Sequence, residues 1–306
     1  MGQTSKGHSE FWYHVAAFAM ILVWGISFLN TRVLLDSGLT PTEIFVARFT
    51  IAYVSLLVVS GFKVRFTGWR DELLFVVCGV AGGSAYFIAE NTALELTLIS
   101  DVAVLVSTAP LTTALMGAIF YRDERISWLS CLGMIIAFVG SVMLALKDGL
   151  VWGDSIMGDL LALLAAFVWA FYSMALKKLN RTYSTLFITR KLFFYGILSA
   201  LPLLAMEESQ INWQAVSRPE VWGNLLYLGL ICSMAAYFIW GITVKRIGAV
   251  RASNYFYLSP IISMIAAAIW FGERTNAVAY IGCVLILAGV IMAEKFKRNP
   301  KPEVNQ

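Results

Sequence analysis

Long apolar runs separated by short polar stretches dominate the chain. Ten runs of about 20 residues, the length needed to cross the hydrocarbon core of a bilayer, fall at 11–34, 42–62, 72–97, 99–121, 127–146, 156–178, 184–206, 220–244, 248–271 and 276–294. None alternates with the two-residue period of a membrane barrel strand. Helices satisfy their own backbone hydrogen bonds within hydrocarbon. The pattern therefore predicts an all-α membrane protein with ten transmembrane helices.

The runs carry a repeat. Ala-Tyr-Phe-Ile occurs at Ala85–Ile88 and again at Ala236–Ile239. Behind the first copy follow Pro110, Glu124-Arg125, Gly133, Gly140 and Met143; behind the second follow Pro260, Glu273-Arg274, Gly282, Gly289 and Met292. The series predicts two related halves of five spans each, 11–149 and 150–296, between tails at 1–10 and 297–306, with the junction in the polar stretch Lys147–Ser155. An odd number of spans per half inserts the second half upside down. Inverted repeats of this kind enclose a substrate site at their interface and expose it alternately to either side.

Composition and charge refine this picture. The 306 residues are 59% apolar and 14% charged, with a mean hydropathy of +0.75, against roughly a quarter charged in soluble domains. With the N-terminus inside, the inner segments hold sixteen Lys and Arg and the outer segments four. The positive-inside rule then places both termini in the cytoplasm, as expected for a bacterial inner-membrane protein. The first run is too long for a signal-peptide core. Cys78, Cys131, Cys232 and Cys283 lie within predicted spans without metal-ligand spacing, and both histidines are near the N-terminus.

The residues resemble the drug/metabolite transporter superfamily, specifically its ten-span EamA-type members. The resemblance rests on Trp24-Gly25-Ile26-Ser27-Phe28, Ala47-Arg48-Phe49, and Pro110 followed by Glu124-Arg125. The second half adds Lys245-Arg246-Ile247-Gly248-Ala249, Tyr257-Leu258-Ser259-Pro260, Phe271-Gly272-Glu273-Arg274 and Leu287-Ala288-Gly289-Val290. It implies a secondary transporter of small organic solutes, often outward, with a cavity lined by both halves. The first half departs from the family pattern at Asp123-Glu124 and at Glu90-Asn91.

An ionisable residue at membrane depth is costly and marks a functional candidate. Glu90, replaced by Gly241 in the second half, is expected to bind a proton or a substrate amino group, with Tyr86 four residues earlier on the same helix face. Arg48 and Arg190, each six residues into its span, are expected as gates or substrate-charge sites facing opposite sides. Pro110 and Pro260 interrupt the helical ladder among hydroxyls and are expected as hinges. Trp24, Tyr86, Trp169, Tyr172, Tyr237 and Trp240 are the expected aromatic cavity wall, able to hold an apolar or cationic solute. Asn30, Asn91, Asn254 and Tyr257 complete the candidate polar contacts, since buried amides and hydroxyls need partners.

These features predict a secondary active transporter, exporting a small neutral or zwitterionic metabolite such as an amino acid and acting as a monomer in the bilayer. A broad-specificity drug exporter is the alternative. A sugar-phosphate or nucleotide-sugar exchanger would want convergent cations, and only Arg48, Arg190 and Lys191 lie within spans. No Walker motif, metal site or catalytic constellation is present. The expectation is therefore a non-enzyme with no cofactor and no nucleic-acid partner.

Overall fold

The computed structural model describes residues 3–61, 66–120, 127–145, 156–207, 217–271 and 276–296. The Glu124-Arg125 and Glu273-Arg274 pairs, the junction at Lys147–Ser155 and the tail from 297 lie outside these residues. The elements are α1 (Gln3–Asp36), α2 (Pro41–Ser60), α3 (Trp69–Leu96), α4 (Ile99–Val106 with Ala109–Phe120), α5 (Trp128–Ala145), α6 (Ile156–Leu179), α7 (Thr185–Met206), α8 (Pro219–Ile247), α9 (Ala249–Ser253, Asn254–Leu258 and Ser259–Phe271) and α10 (Ala277–Lys295). Among the described residues there is no strand.

Eight of these helices are long and apolar enough to cross a membrane: α1, α2, α3, α4, α6, α7, α8 and α10. Helix α5 is a shorter apolar helix. Helix α9 is broken by a 3₁₀ turn over Asn254–Leu258 just ahead of Pro260, whose ring cannot donate to the preceding turn. In α4 the break falls at Ser107 and Thr108, ahead of Pro110. Both Pro110 and Pro260 thus follow an interruption of the helical ladder.

Local chemistry sets the helix ends. Thr40 caps α2 in a reciprocal box with Glu43, and Pro41 supplies the first helical residue, where its missing N–H costs nothing. Between α8 and α9 the chain turns on Gly248 alone, at φ +91°, a conformation that side chains resist.

Large apolar side chains point outward, including Val58, Val59, Trp128, Ile156 and Ile269, each more than 70% exposed. A surface this apolar is matched to lipid.

Packing partners recur when the halves are exchanged. Helix α3 runs along α6 as α8 runs along α1, while α2 pairs with α7 and α5 with α10. The last two pairs are antiparallel. Thr40 Oγ1, at the start of α2, donates to Glu207 at the end of α7 (2.7 Å), and Arg190 near the start of α7 donates to the Gly61 carbonyl at the end of α2 (2.9 Å). In the α5/α10 pair, Gly133 meets Gly289 and Ala293, and Gly140 meets Gly282 and Ile286, backbone against backbone. A Cβ at Gly133, Gly140 or Gly289 would intrude, so the small residues permit the close approach.

Candidate functional site

Helices α1, α3, α6 and α9 enclose a small interior cavity lined by Ile21, Trp24, Ser27, Phe28, Tyr86, Phe87, Glu90, Trp169, Phe256 and Ser259. Its volume is about 20 Å³, room for one water-sized body. Solute sites measure hundreds of Å³. A metabolite would fit here only if the lining separated.

Four of the expected site residues, Trp24, Tyr86, Glu90 and Trp169, come together here. Glu90 is 4% exposed and accepts a hydrogen bond from the Tyr86 hydroxyl at 2.6 Å, as their four-residue spacing on α3 requires. Trp24 donates its indole N–H to the Cys232 carbonyl at 2.8 Å. Its ring lies edge-on to Trp169, with centroids 5.6 Å apart, and stacks on Phe256 at 5.8 Å. The Trp169 N–H is buried without a hydrogen-bond partner, although an indole donor buried in apolar surroundings ordinarily finds one.

Two wide turns shape this wall. Helix α3 passes through a π segment at Val80–Ser84 and α8 through another at Tyr227–Ala235, each ending where its Ala-Tyr-Phe-Ile copy begins. Such turns concentrate at functional sites. Cys232, which takes the Trp24 donor, lies in the second segment. Gly82, whose carbonyl accepts the Tyr237 hydroxyl at 2.5 Å, lies in the first. Each segment is therefore tied to a side chain of the other half.

The remaining candidates sit around the cavity instead of on it. Tyr172, Tyr237 and Trp240 are buried and pack on Trp169 or Trp24 with centroids 4.8 to 6.1 Å apart. Asn30 donates to the Asn224 side chain at 2.6 Å, and Asn91 to the Pro41 carbonyl at 3.2 Å. Asn254 and Tyr257 are buried in the 3₁₀ turn of α9, and their Oδ1 and hydroxyl have no hydrogen-bond partner. Pro110 is buried in α4.

The two arginines do not occupy matching environments. Arg48 is 1% exposed, donates Nε to Ser233 Oγ at 3.0 Å and lies 4.1 Å from the centroid of the Phe87 ring. Arg190 is only partly buried and holds the end of α2, away from the cavity. The helix caps explain the difference. Arg48 is the eighth residue after its cap Thr40, Arg190 the sixth after its cap Ser184; two residues turn a helix by about 200°. Counting from run boundaries set them in phase, whereas counting from caps separates them onto nearly opposite faces.

Sequence reading passed over Phe87 and Phe256, since a phenylalanine in an apolar run carries no signal beyond burial. It also missed the partner of Lys191. The Lys191 ammonium meets Glu72 at 2.6 Å, and the Tyr195 hydroxyl donates to the same carboxylate. Among the described residues no group of three His, Cys, Asp or Glu is placed to hold a metal ion.

The comparisons with known proteins agree with this architecture. The sequence matches the EamA-like transporter family twice, over 11–146 and 156–294. It is 28% identical to a probable terminal-alkyne amino-acid exporter of Streptantibioticus cattleyicolor, covering 92% of this chain and 93% of that protein. It is 26% identical to a probable amino-acid metabolite efflux pump of Salmonella typhimurium, covering 90% and 92%. The fold is shared with a protein of known crystal structure at a TM-score of 0.71 and 21% identity, over 92% of this chain and 98% of the other. With both halves matched, the chain is a multi-pass integral membrane protein and belongs to the EamA-like transporter family.

Proposed function

We propose that this chain is a secondary active exporter of a small neutral or zwitterionic metabolite, with amino acids as the leading class. It would work by alternating access around the Glu90 cavity. Five spans per half, 11–149 and 150–296, lie inverted in the bacterial inner membrane with both termini cytoplasmic, and one chain is the working unit. The observation that carries the reading is a buried carboxyl, held by Tyr86 among Trp24 and Trp169, in a void between helices of both halves. The antiparallel α2/α7 and α5/α10 pairs support the inversion. Two relatives named as amino-acid exporters or efflux pumps support the solute class.

In this reading Glu90 exchanges a proton for the solute's ammonium as the cavity changes sides. Aromatic faces attract cations and apolar groups alike, so a drug-like cation is the second solute class. A phosphate-bearing solute fits poorly, because Lys191 is engaged by Glu72 and Arg190 stands away from the cavity.

The test is flux from proteoliposomes across a panel of amino acids and cationic drugs, with and without a pH gradient. The wild-type protein is expected to move amino acids faster with an inward proton gradient. Glu90→Gln should abolish that dependence. Retention of the wild-type rate and pH dependence by Glu90→Gln would refute the role given to this residue.

A further inference from the structure

Arg48 is buried without an ion-pair partner among the described residues. Ser233 takes its Nε, while one Nη nitrogen has no hydrogen-bond partner. An unpaired buried cation is expensive, and the Phe87 ring under the guanidinium supplies only part of the compensation. Phe87 also lines the cavity that contains Glu90. One ring thus touches both the cavity that holds the Glu90 carboxyl and a cation just outside it.

We propose that Phe87 is a shutter over a carboxylate subsite formed by Arg48. When the ring turns aside, the orphan Nη nitrogen faces the cavity. The enlarged chamber then carries an anion at Glu90 and a cation at Arg48, with Trp24, Trp169 and Phe256 between them. That arrangement matches an α-amino acid zwitterion with an apolar side chain: ammonium on Glu90, carboxylate on Arg48, side chain among the rings. A charge-assisted, forked contact from guanidinium to carboxylate is the strong form of this recognition. The inference rests on the transport reading for its purpose, but the subsite itself is a matter of binding.

The experiment measures calorimetric binding of three probes to the purified full chain: leucine, isopentylamine, which is leucine without its carboxylate, and 4-methylpentanoate, which lacks its ammonium. Leucine is expected to bind at least about tenfold more tightly than either analogue, and Arg48→Gln to erase its advantage over the amine, as expected for loss of one member of a buried charge contact. Because removing a buried cation can disturb folding, Phe87→Leu is the second variant. It keeps Arg48 and removes the shutter, so it should tighten leucine binding several-fold more than amine binding. The proposal is overturned if wild-type protein binds isopentylamine as tightly as leucine, if it binds none of the probes, if Arg48→Gln leaves the ratio unchanged, or if Phe87→Leu shifts leucine and amine alike. Leucine binding with the expected ratios but no flux in proteoliposomes would sustain the subsite and refute the transport reading.

Discussion

Deleting the Lys191 ammonium tests how the two halves are tied together. Lys191 on α7 and Glu72 on α3 have side chains only 9% and 7% exposed, with Nζ and Oε1 2.6 Å apart. Glu72 also accepts from the Thr67 amide at 3.0 Å and the Thr67 hydroxyl at 3.2 Å, and from Tyr195 on its other oxygen. The ammonium lies 5.6 to 5.7 Å from the ring centroids of Phe75, Phe187 and Tyr195. Removing one member of a buried pair typically costs about 3–5 kcal/mol, because the other charge is left buried. Lys191→Met should fall near the low end, about 3 kcal/mol, since Thr67 and Tyr195 still donate to the carboxylate. Glu72→Gln leaves the cation among three aromatic faces and should cost less, as such contacts return up to about 2 kcal/mol when desolvated. The double variant has no buried charge, so its loss should fall short of the sum of the single losses by at least about 1 kcal/mol. Unfolding in mixed micelles, titrated for the four proteins, reads these differences. A Lys191→Met loss below about 0.5 kcal/mol, the level of an ordinary surface change, or simple additivity in the cycle would refute the assignment of this pair as a buried tie.

Two further predictions concern packing and alkaline stability. A Cβ at Gly289 would stand 2.4 Å from the Ala137 amide nitrogen and 2.5 Å from the Gly133 carbonyl. Gly289→Ala therefore has to part α5 and α10, at an overpacking cost of about 1–3 kcal/mol against about 1 kcal/mol of helix propensity gained; net stabilisation in the same unfolding assay would contradict the close approach. The Asp71 carboxylate that accepts the Tyr183 hydroxyl raises the phenol above its ordinary value near 10. A raised acid contributes stability that is whole below its ordinary pKa and lost as pH climbs through the raised one. Tyr183→Phe should accordingly flatten the alkaline limb of stability against pH, and an unchanged limb would count against that hydrogen bond.

Helix positions were legible in the sequence because hydrophobic runs bounded by Gly, Pro and capping residues report local physics. Helix α2 illustrates this, read as the run 42–62 and observed over Pro41–Ser60. Breaks in α4 and α9 were legible from Pro110 and Pro260. Trp24, Tyr86, Glu90 and Trp169 stood out because polar or amphipathic groups in a span must find partners. The π segments did not stand out, since no propensity marks a widened turn; Gly79, Gly82 and Gly83 ahead of the first tetrapeptide were the only hint in α3. The Glu72–Lys191 pair joins residues 119 apart, and no periodicity records a tertiary partner. The phase of Arg48 against Arg190 was misjudged because an apolar run blurs the helix start by a residue or two, enough to turn a side chain to the other face.

The frame and its chemistry obey different symmetries. Glycine contacts, wide turns and broken helices recur in both halves, but the polar groups do not. Trp24 bonds across to Cys232, whereas its counterpart Trp169 has an orphan donor. Tyr86 bonds to Glu90, whereas Tyr237 bonds to the Gly82 carbonyl. Packing explains why there is no second carboxyl. A Cβ at Gly241, the counterpart of Glu90, would lie 2.5 Å from the Thr185 methyl, and the Gly241 carbonyl already accepts from Asn180 at 3.1 Å. Growing a glutamate there would require Thr185 to move and would disturb the contact between α8 and the start of α7. The second half uses this position to hold helices together; the first half leaves it free for an acid. Under the proposed cycle, this pair of equivalent positions can therefore contribute one proton per turnover, despite the duplicated frame around it.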